Sequence, residues 1–202
     1  MKNATSDIAR EKDVLRARFR AARAALSDED YAAHSAAVCE RIAALPAIEA
    51  AETVHVYWPL LRRRELDTQP LIRTLDARGQ RVVLPVVSAF QGAPRLRHVA
   101  FAGEGRMRPN RWGILEPHET PEVDPAALDA VVVPAFGAGR NGHRIGHGRG
   151  FYDAFLSAVD APAVGAVFAD CLVDHVPAEA HDVPLDMIVT EREVLHRPAT
   201  GL

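Results

Sequence analysis

The residues best suited to chemistry stand together between Arg140 and Asp153. Gly146, Gly148 and Gly150 alternate with His147 and Arg149, and Arg140 and Arg144 precede them. Glycine has no side chain to keep a ligand from the backbone. Guanidinium groups supply positive charge, and the first turn of a following helix offers free amide groups and a favourable dipole. The types and order therefore fit an oxyanion cradle, although a tight turn with solvated arginines has the same composition. The run lacks the Lys-Ser/Thr ending of a P-loop and lies far from the N-terminus, where the first turn of a dinucleotide fold would be.

Other candidates lie elsewhere in the chain. Lys12 and Arg16 are four apart on one face of an expected helix, Arg20 continues the row and Arg23 is close to the same side. They form either a solvated basic face or a second clamp on phosphate oxygens. A phosphate-bound Mg²⁺ needs one or two carboxylates besides phosphate oxygens and water. Asp153 and Asp182 fit that need, while a helix cap and a turn explain them equally; Asp186 reads as a turn anchor. Glu65 has the acceptors for ring N–H groups, or for an ion pair with neighbouring Arg62, Arg63 and Arg64. Trp112, Phe151 and Tyr152 offer flat surfaces for a heterocycle. His143 and His147 are four apart on a glycine loop, which is not a metal-binding spacing, and no Gly-x-Ser-x-Gly elbow occurs.

The elements that must position these groups follow from periodicity. A first helix is predicted over Asp7–Leu26 from Leu15, Phe19, Ala22 and Leu26. A second, opened by Ser27, carries Tyr31, Ser35, Val38, Ile42 and Leu45 and ends before Pro46. Strands are predicted at 53–58, 81–87, 96–101, 129–136, 163–168 and 186–190. Helices are predicted from Thr68 to Gly79 and over Asp153–Val159, and residues 103–125 read as mostly loop. Strands alternating with helices, several of them continuously apolar, predict an α/β protein: a three-layer α/β/α sandwich on a mainly parallel sheet. In such sheets ligands gather at the C-terminal ends of the strands.

The chain has 202 residues, 25% of them charged, with a formal net charge of −3. This is an ordinary composition for one domain spanning 1–202, and it argues against a nucleic-acid track. No apolar run reaches membrane-spanning length and the N-terminus lacks a signal-peptide core, so a cytoplasmic protein without a membrane partner is expected. Cys39 and Cys171 have no metal-type spacing and read as buried thiols in a reducing compartment. A monomer or weak homodimer is expected.

Taken together, Lys12-x-x-x-Arg16, Glu65-Leu66-Asp67-Thr68, Trp112-Gly113-Ile114-x-Glu116-Pro117, the run from Arg144 to Asp153, and His181-Asp182-x-Pro184-Leu185-Asp186 resemble the 5-formyltetrahydrofolate cyclo-ligase family. The resemblance extends from Lys12 to about Glu191. It implies ATP- and Mg²⁺-dependent conversion of a reduced folate, 5-formyltetrahydrofolate, to 5,10-methenyltetrahydrofolate. It also implies that Lys12, Arg16 and Arg144, Ile145, Gly146, His147, Gly148, Arg149, Gly150, Phe151 and Tyr152 hold ATP. Arg144, Arg149 and Tyr152 are the catalytic candidates among them. Leu60, Glu65, Trp112 and Tyr152 would line the folate pocket, and Asp153 and Asp182 would hold Mg²⁺. The chain departs from the usual family pattern at Ala138-Gly139, Phe151 and Cys171, and Arg62–Arg64 is a candidate for greeting a polyglutamate tail. Two alternatives stay open: a paralogue that activates another formyl or amide substrate, and a non-catalytic nucleotide-binding module.

Overall fold

The computed structural model describes residues 2–89, 95–110 and 113–197; Trp112 lies outside the described residues. Helices α1 (Lys2–Ala25), α2 (Asp28–Ala43) and α3 (Pro46–Glu49) lead into strand β1 (Thr53–His55). Helix α4 (Gln69–Ala77) is followed by β2 (Arg81–Ala89), β3 (Arg95–Ala100), β4 (Met107–Pro109), β5 (Leu115–Pro117) and β6 (Ala130–Pro134). Next come β7 (Gly137–Gly139), β8 (Arg144–Ile145), α5 (Phe151–Leu156), β9 (Ala163–Ala166), β10 (Leu172–Val173), β11 (Met187–Val189) and β12 (Val194–His196).

The main sheet has seven strands in the order β12-β11-β9-β6-β1-β2-β3. The five central strands pair in parallel, and β12 and β3 close the two edges antiparallel. The expected sandwich is thus present, and its apolar strands have their physical reason. Along β6, Ala130 and Val132 face a core built with Phe19, Val38, Ile42, Leu71 and Leu75, from α1, α2 and α4. Val131 and Val133 face a second core with Phe155 and Leu156 of α5. A strand covered on both faces needs apolar residues at every position. The expected Ser27 cap is also present, its hydroxyl accepting from the Asp30 amide at 2.9 Å. Among the described residues no helix is long and apolar enough to cross a membrane.

Several boundaries differ from expectation. Strand β1 stops at His55 rather than Trp58. The Val56 amide still donates to Val83, but the Tyr57 carbonyl accepts from the Thr68 hydroxyl at 2.6 Å, and Pro59 has no amide to continue a ladder. Helix α5 starts at Phe151, not Asp153, and ends three residues before Val159, because Gly150 at φ 68° turns the chain directly into it. Arg144 and Ile145 belong to a strand rather than the loop: β8 pairs with β7, which also pairs with β10. A hairpin, β4–β5, occupies part of the expected 103–125 loop. These strands of two or three residues are too short to show a period.

Candidate active site

A cleft of about 270 Å³ opens over the C-terminal ends of β1, β2 and β6, bounded by α1 and the glycine loop. Lys12, Arg16, Leu60, Glu65, Asp153, Asp182 and every residue from Arg144 to Tyr152 line it. The fold therefore brings these residues, distant in sequence, to one place. Three parallel strands deliver their following loops to the same edge, and α1 packs across them.

Lys12 and Arg16 are not part of a solvated face, whereas Arg20 of the same row is exposed. The Arg16 guanidinium donates from Nε to the Gly146 carbonyl at 2.9 Å and pairs with Asp13. A side chain at residue 148 would come within 3.3 Å of Arg16 Nη2, and Gly148 has φ 75°, so the close approach of loop to helix requires glycine there. Lys12 Nζ meets Asp182 at 2.5 Å and Glu179 at 3.1 Å. Burial works against the Lys12 ammonium, but its bonds to Asp182 and Glu179 outweigh that and leave its pKa raised. Burial also opposes the Asp182 carboxylate; the Glu179 amide and Lys12 outweigh it and lower the Asp182 pKa.

Glu65 is buried, and its carboxylate is not spent on neighbouring arginines. One oxygen accepts from the Leu60 amide at 2.9 Å, and the other lies 3.1 Å from His147 Nε2. The His147 ring stands edge-on to Phe136, 4.7 Å between centroids. Glycine loop and strand-β1 wall thus touch across the cleft through one hydrogen bond. Apolar groups complete that wall: Tyr57, Trp58, Pro85, Val87, Leu96 and Ile114. Trp58 stacks on Phe101 at 6.1 Å. It supplies a flat indole in the cleft that the sequence reading, with its attention on Trp112, missed. Its position directly before Pro59, where the chain leaves the sheet, is the signal that could have found it.

Arg144 is nearly fully buried, donating to Asp153 at 2.7 Å and to the Val183 carbonyl at 2.6 Å. It joins the glycine loop to the 182–183 turn and orients Asp153, whose same oxygen accepts the Val183 amide at 3.2 Å. Among the described residues the second oxygen of Asp153 has no hydrogen bond, and Asp182 Oδ1 has only His181 at 3.7 Å. Among the described residues no group of three or more metal-type side chains occurs. Two carboxylates, each with an oxygen to spare, suit a cation that takes its remaining ligands from phosphate and water. Arg149 is exposed along the cleft. Among the described residues the buried Tyr152 hydroxyl has no partner, and burial raises its pKa well above the ordinary value, so it is a neutral donor and not a base.

Two expectations are corrected. Arg140 does not border the cradle: it forms a two-pronged ion pair with Glu193, at 2.6 and 3.2 Å, outside the cleft lining. Arg64 does not face a ligand tail. It donates to the carbonyls of Arg23, Leu26 and Ser27 and pairs with Asp28, because the end of α1 leaves carbonyls that a guanidinium can satisfy. The departures at Ala138, Gly139 and Cys171 also lie outside the cleft. A side chain at residue 139 would meet Asn141 at 2.2 Å and the Val176 amide at 2.6 Å, so Asn141 fills that space. Cys171 is buried, with its thiol pushed up to about 11 by desolvation, and is chemically quiet.

Comparison with known proteins identifies the family. The 5-formyltetrahydrofolate cyclo-ligase family model matches residues 8–191. The Escherichia coli 5-formyltetrahydrofolate cyclo-ligase is 34% identical over 181 residues, 87% of this chain and 98% of that protein. The solved 5,10-methenyltetrahydrofolate synthetase of Aquifex aeolicus superposes with a TM-score of 0.80 at 27% identity, covering 95% of each chain. The Mycoplasma pneumoniae synthetase shares the fold, with a TM-score of 0.71 at 22% identity, over 89% of this chain and 98% of that one. The chain belongs to the 5-formyltetrahydrofolate cyclo-ligase family.

Proposed function

We propose that the protein converts 5-formyltetrahydrofolate to 5,10-methenyltetrahydrofolate, consuming ATP and releasing ADP and phosphate. The observation that carries this reading is the two-sided cleft. A cationic side, formed by α1 and the glycine loop, faces an apolar, aromatic side whose one buried carboxylate is Glu65. A nucleoside triphosphate matches the first side and a reduced pterin the second. Their reacting ends meet where His147 touches Glu65.

A formamide oxygen is a poor leaving group, so it must first be phosphorylated. Phosphoryl transfer needs little from the protein beyond positioning and charge neutralisation. Lys12 and Arg16 hold phosphate oxygens from α1, and the backbone of 146–150 approaches them closely. Glu65 accepts hydrogen bonds from the pterin ring, and the adjacent Leu60 amide keeps its carboxylate aimed. Trp58, Tyr57 and Tyr152 enclose the ring and exclude water, and the neutral Tyr152 hydroxyl donates into the cleft. Asp153 and Asp182 would hold Mg²⁺, which when bound neutralises phosphate charge. For that, Lys12 must exchange its partner, leaving Asp182 for a phosphate oxygen.

The purified protein, given 5-formyltetrahydrofolate, ATP and Mg²⁺, develops methenyl absorbance with one ADP per turnover. ATP binding without any absorbance change would favour the nucleotide-binding module instead.

A further inference from the structure

The cations around the cleft are answered by carboxylates, with one buried exception. Lys12 has Asp182 and Glu179, Arg16 has Asp13, and Arg144 has Asp153. Among the described residues Arg149 has none, but it is exposed. Arg23 lines the deep end of the cleft at 4% exposure, and among the described residues no carboxylate forms an ion pair with it. Its Nη2 donates to the Ala135 carbonyl, and its guanidinium lies 5.0 Å from the centre of the Phe136 ring. Among the described residues its Nε has no hydrogen-bond partner, and the neutral Cys171 thiol lies close enough to feel its charge. Arg20 lies 4.8 Å from the same ring, adding positive charge to that corner.

A guanidinium cannot shed its proton in a protein, so Arg23 remains a cation however deeply it lies. A neutral carbonyl, a neutral thiol and an aromatic face offset only part of the cost of taking that charge out of water. The fold keeps an incompletely neutralised charge where a ligand can complete it. Its place indicates which ligand. On α1, Lys12, Arg16 and Arg23 are spaced by about 6 and then about 10 Å along the helix axis. They run from Asp182, past the Gly146 carbonyl, to the corner formed by Tyr57, Glu65 and Phe136. That corner is where the nucleotide side gives way to the pterin side.

Resting on the function proposed above, we infer that Arg23 is a catalytic residue that receives the oxygens of the phosphoryl group in transit. The formyl oxygen attacks the terminal phosphorus as the bond to ADP breaks, and ADP leaves with that electron pair. The neighbouring folate nitrogen then attacks the formyl carbon and loses its proton to solvent. The carbon–oxygen bond breaks, and inorganic phosphate departs with the former formyl oxygen. Arg23 meets negative charge in both steps, first on the transferred group and then on the leaving phosphate. A planar, forked donor is the side chain best matched to those oxygens.

The test uses Arg23→Met and Arg23→Lys in the full-length protein, with inorganic phosphate as the binding probe. Arg23→Met is expected to melt at or above the wild-type temperature without ligand, since an unanswered charge is gone. It should lose the melting-temperature rise that phosphate gives the wild type. Its kcat should fall about 10³-fold, as for other arginines that stabilise phosphoryl transfer, with the KM for ATP nearly constant. Arg23→Lys should keep the phosphate effect and regain part of kcat.

Arg23→Met that melts well below wild type yet responds fully to phosphate would overturn the inference and leave Arg23 a strut on Ala135. If that variant does not fold, Arg23→Lys decides alone, and a folded lysine variant without a phosphate response overturns the inference. A wild type that shows the phosphate effect but never forms the methenyl product refutes the function and leaves the anion site standing.

Discussion

Replacing His55 by leucine should make the protein less sensitive to acid. His55 sits on β1 in the middle of the sheet, fully buried, with neither ring nitrogen hydrogen-bonded among the described residues. Its ring packs 4.9 Å from Phe155, 5.3 Å from His98 and 5.9 Å from Tyr152, centroid to centroid. Desolvation first, and the neighbouring His98 second, push its pKa well below 6.5. In the unfolded chain the same imidazole takes up a proton near pH 6.5. Between that pH and the depressed native value, the unfolded state binds the extra proton. The stability contributed by neutral His55 is therefore complete above about pH 6.5 and lost as pH falls.

From pH 7 to pH 5 the loss for one such group is about 2 kcal/mol. For a chain of this size that corresponds to about 4–8 °C of melting temperature. His98 acts in the same direction: desolvation lowers its pKa, with Glu122 opposing. At pH 7 His55→Leu should melt at or above wild type, because two unsatisfied buried nitrogens are removed without opening a large cavity. Thermal unfolding followed by circular dichroism at pH 5, 6 and 7 measures both effects. Equal losses in wild type and variant between pH 7 and 5 would refute the reasoning. So would a leucine variant that melts far lower at pH 7.

Gly148→Ala places a side chain at φ 75° and 3.3 Å from Arg16 Nη2. The strain of about 1–2 kcal/mol should raise the KM for ATP by about tenfold, measured at saturating folate. Arg64→Ala removes three hydrogen bonds to the end of α1 and should cost about 1–2 kcal/mol in urea unfolding. Its effect on KM should be the same for mono- and polyglutamylated folate, and a selective loss for the polyglutamylated form would restore the tail-binding role.

The sheet was legible in the sequence because burial on both faces leaves an unmistakable record: Ala130–Pro134 is apolar at almost every position, as a covered parallel strand must be. The long helices were legible from their stripes, and the glycine loop from residue types that serve close backbone approach. The short strands β7, β8 and β10 were not, since two or three residues carry no period. The roles of individual charges were the least readable part. Arg64, Arg140 and Arg23 look alike in sequence, each an arginine near the candidate motifs. Tertiary contacts make the first a helix cap, the second a partner of Glu193, and the third a buried cation at the cleft floor.

By itself, then, the sequence determined the layered α/β architecture, the glycine loop and the residues that assemble around it, because periodicity and glycine placement are local properties of the chain. Only the tertiary structure decided which oxygen each cation meets and which ring faces the cleft. It also decided that Glu65 pairs with His147 across 82 positions of sequence. Those outcomes depend on where distant segments pack, and electrostatic partnership follows distance in space rather than distance along the chain.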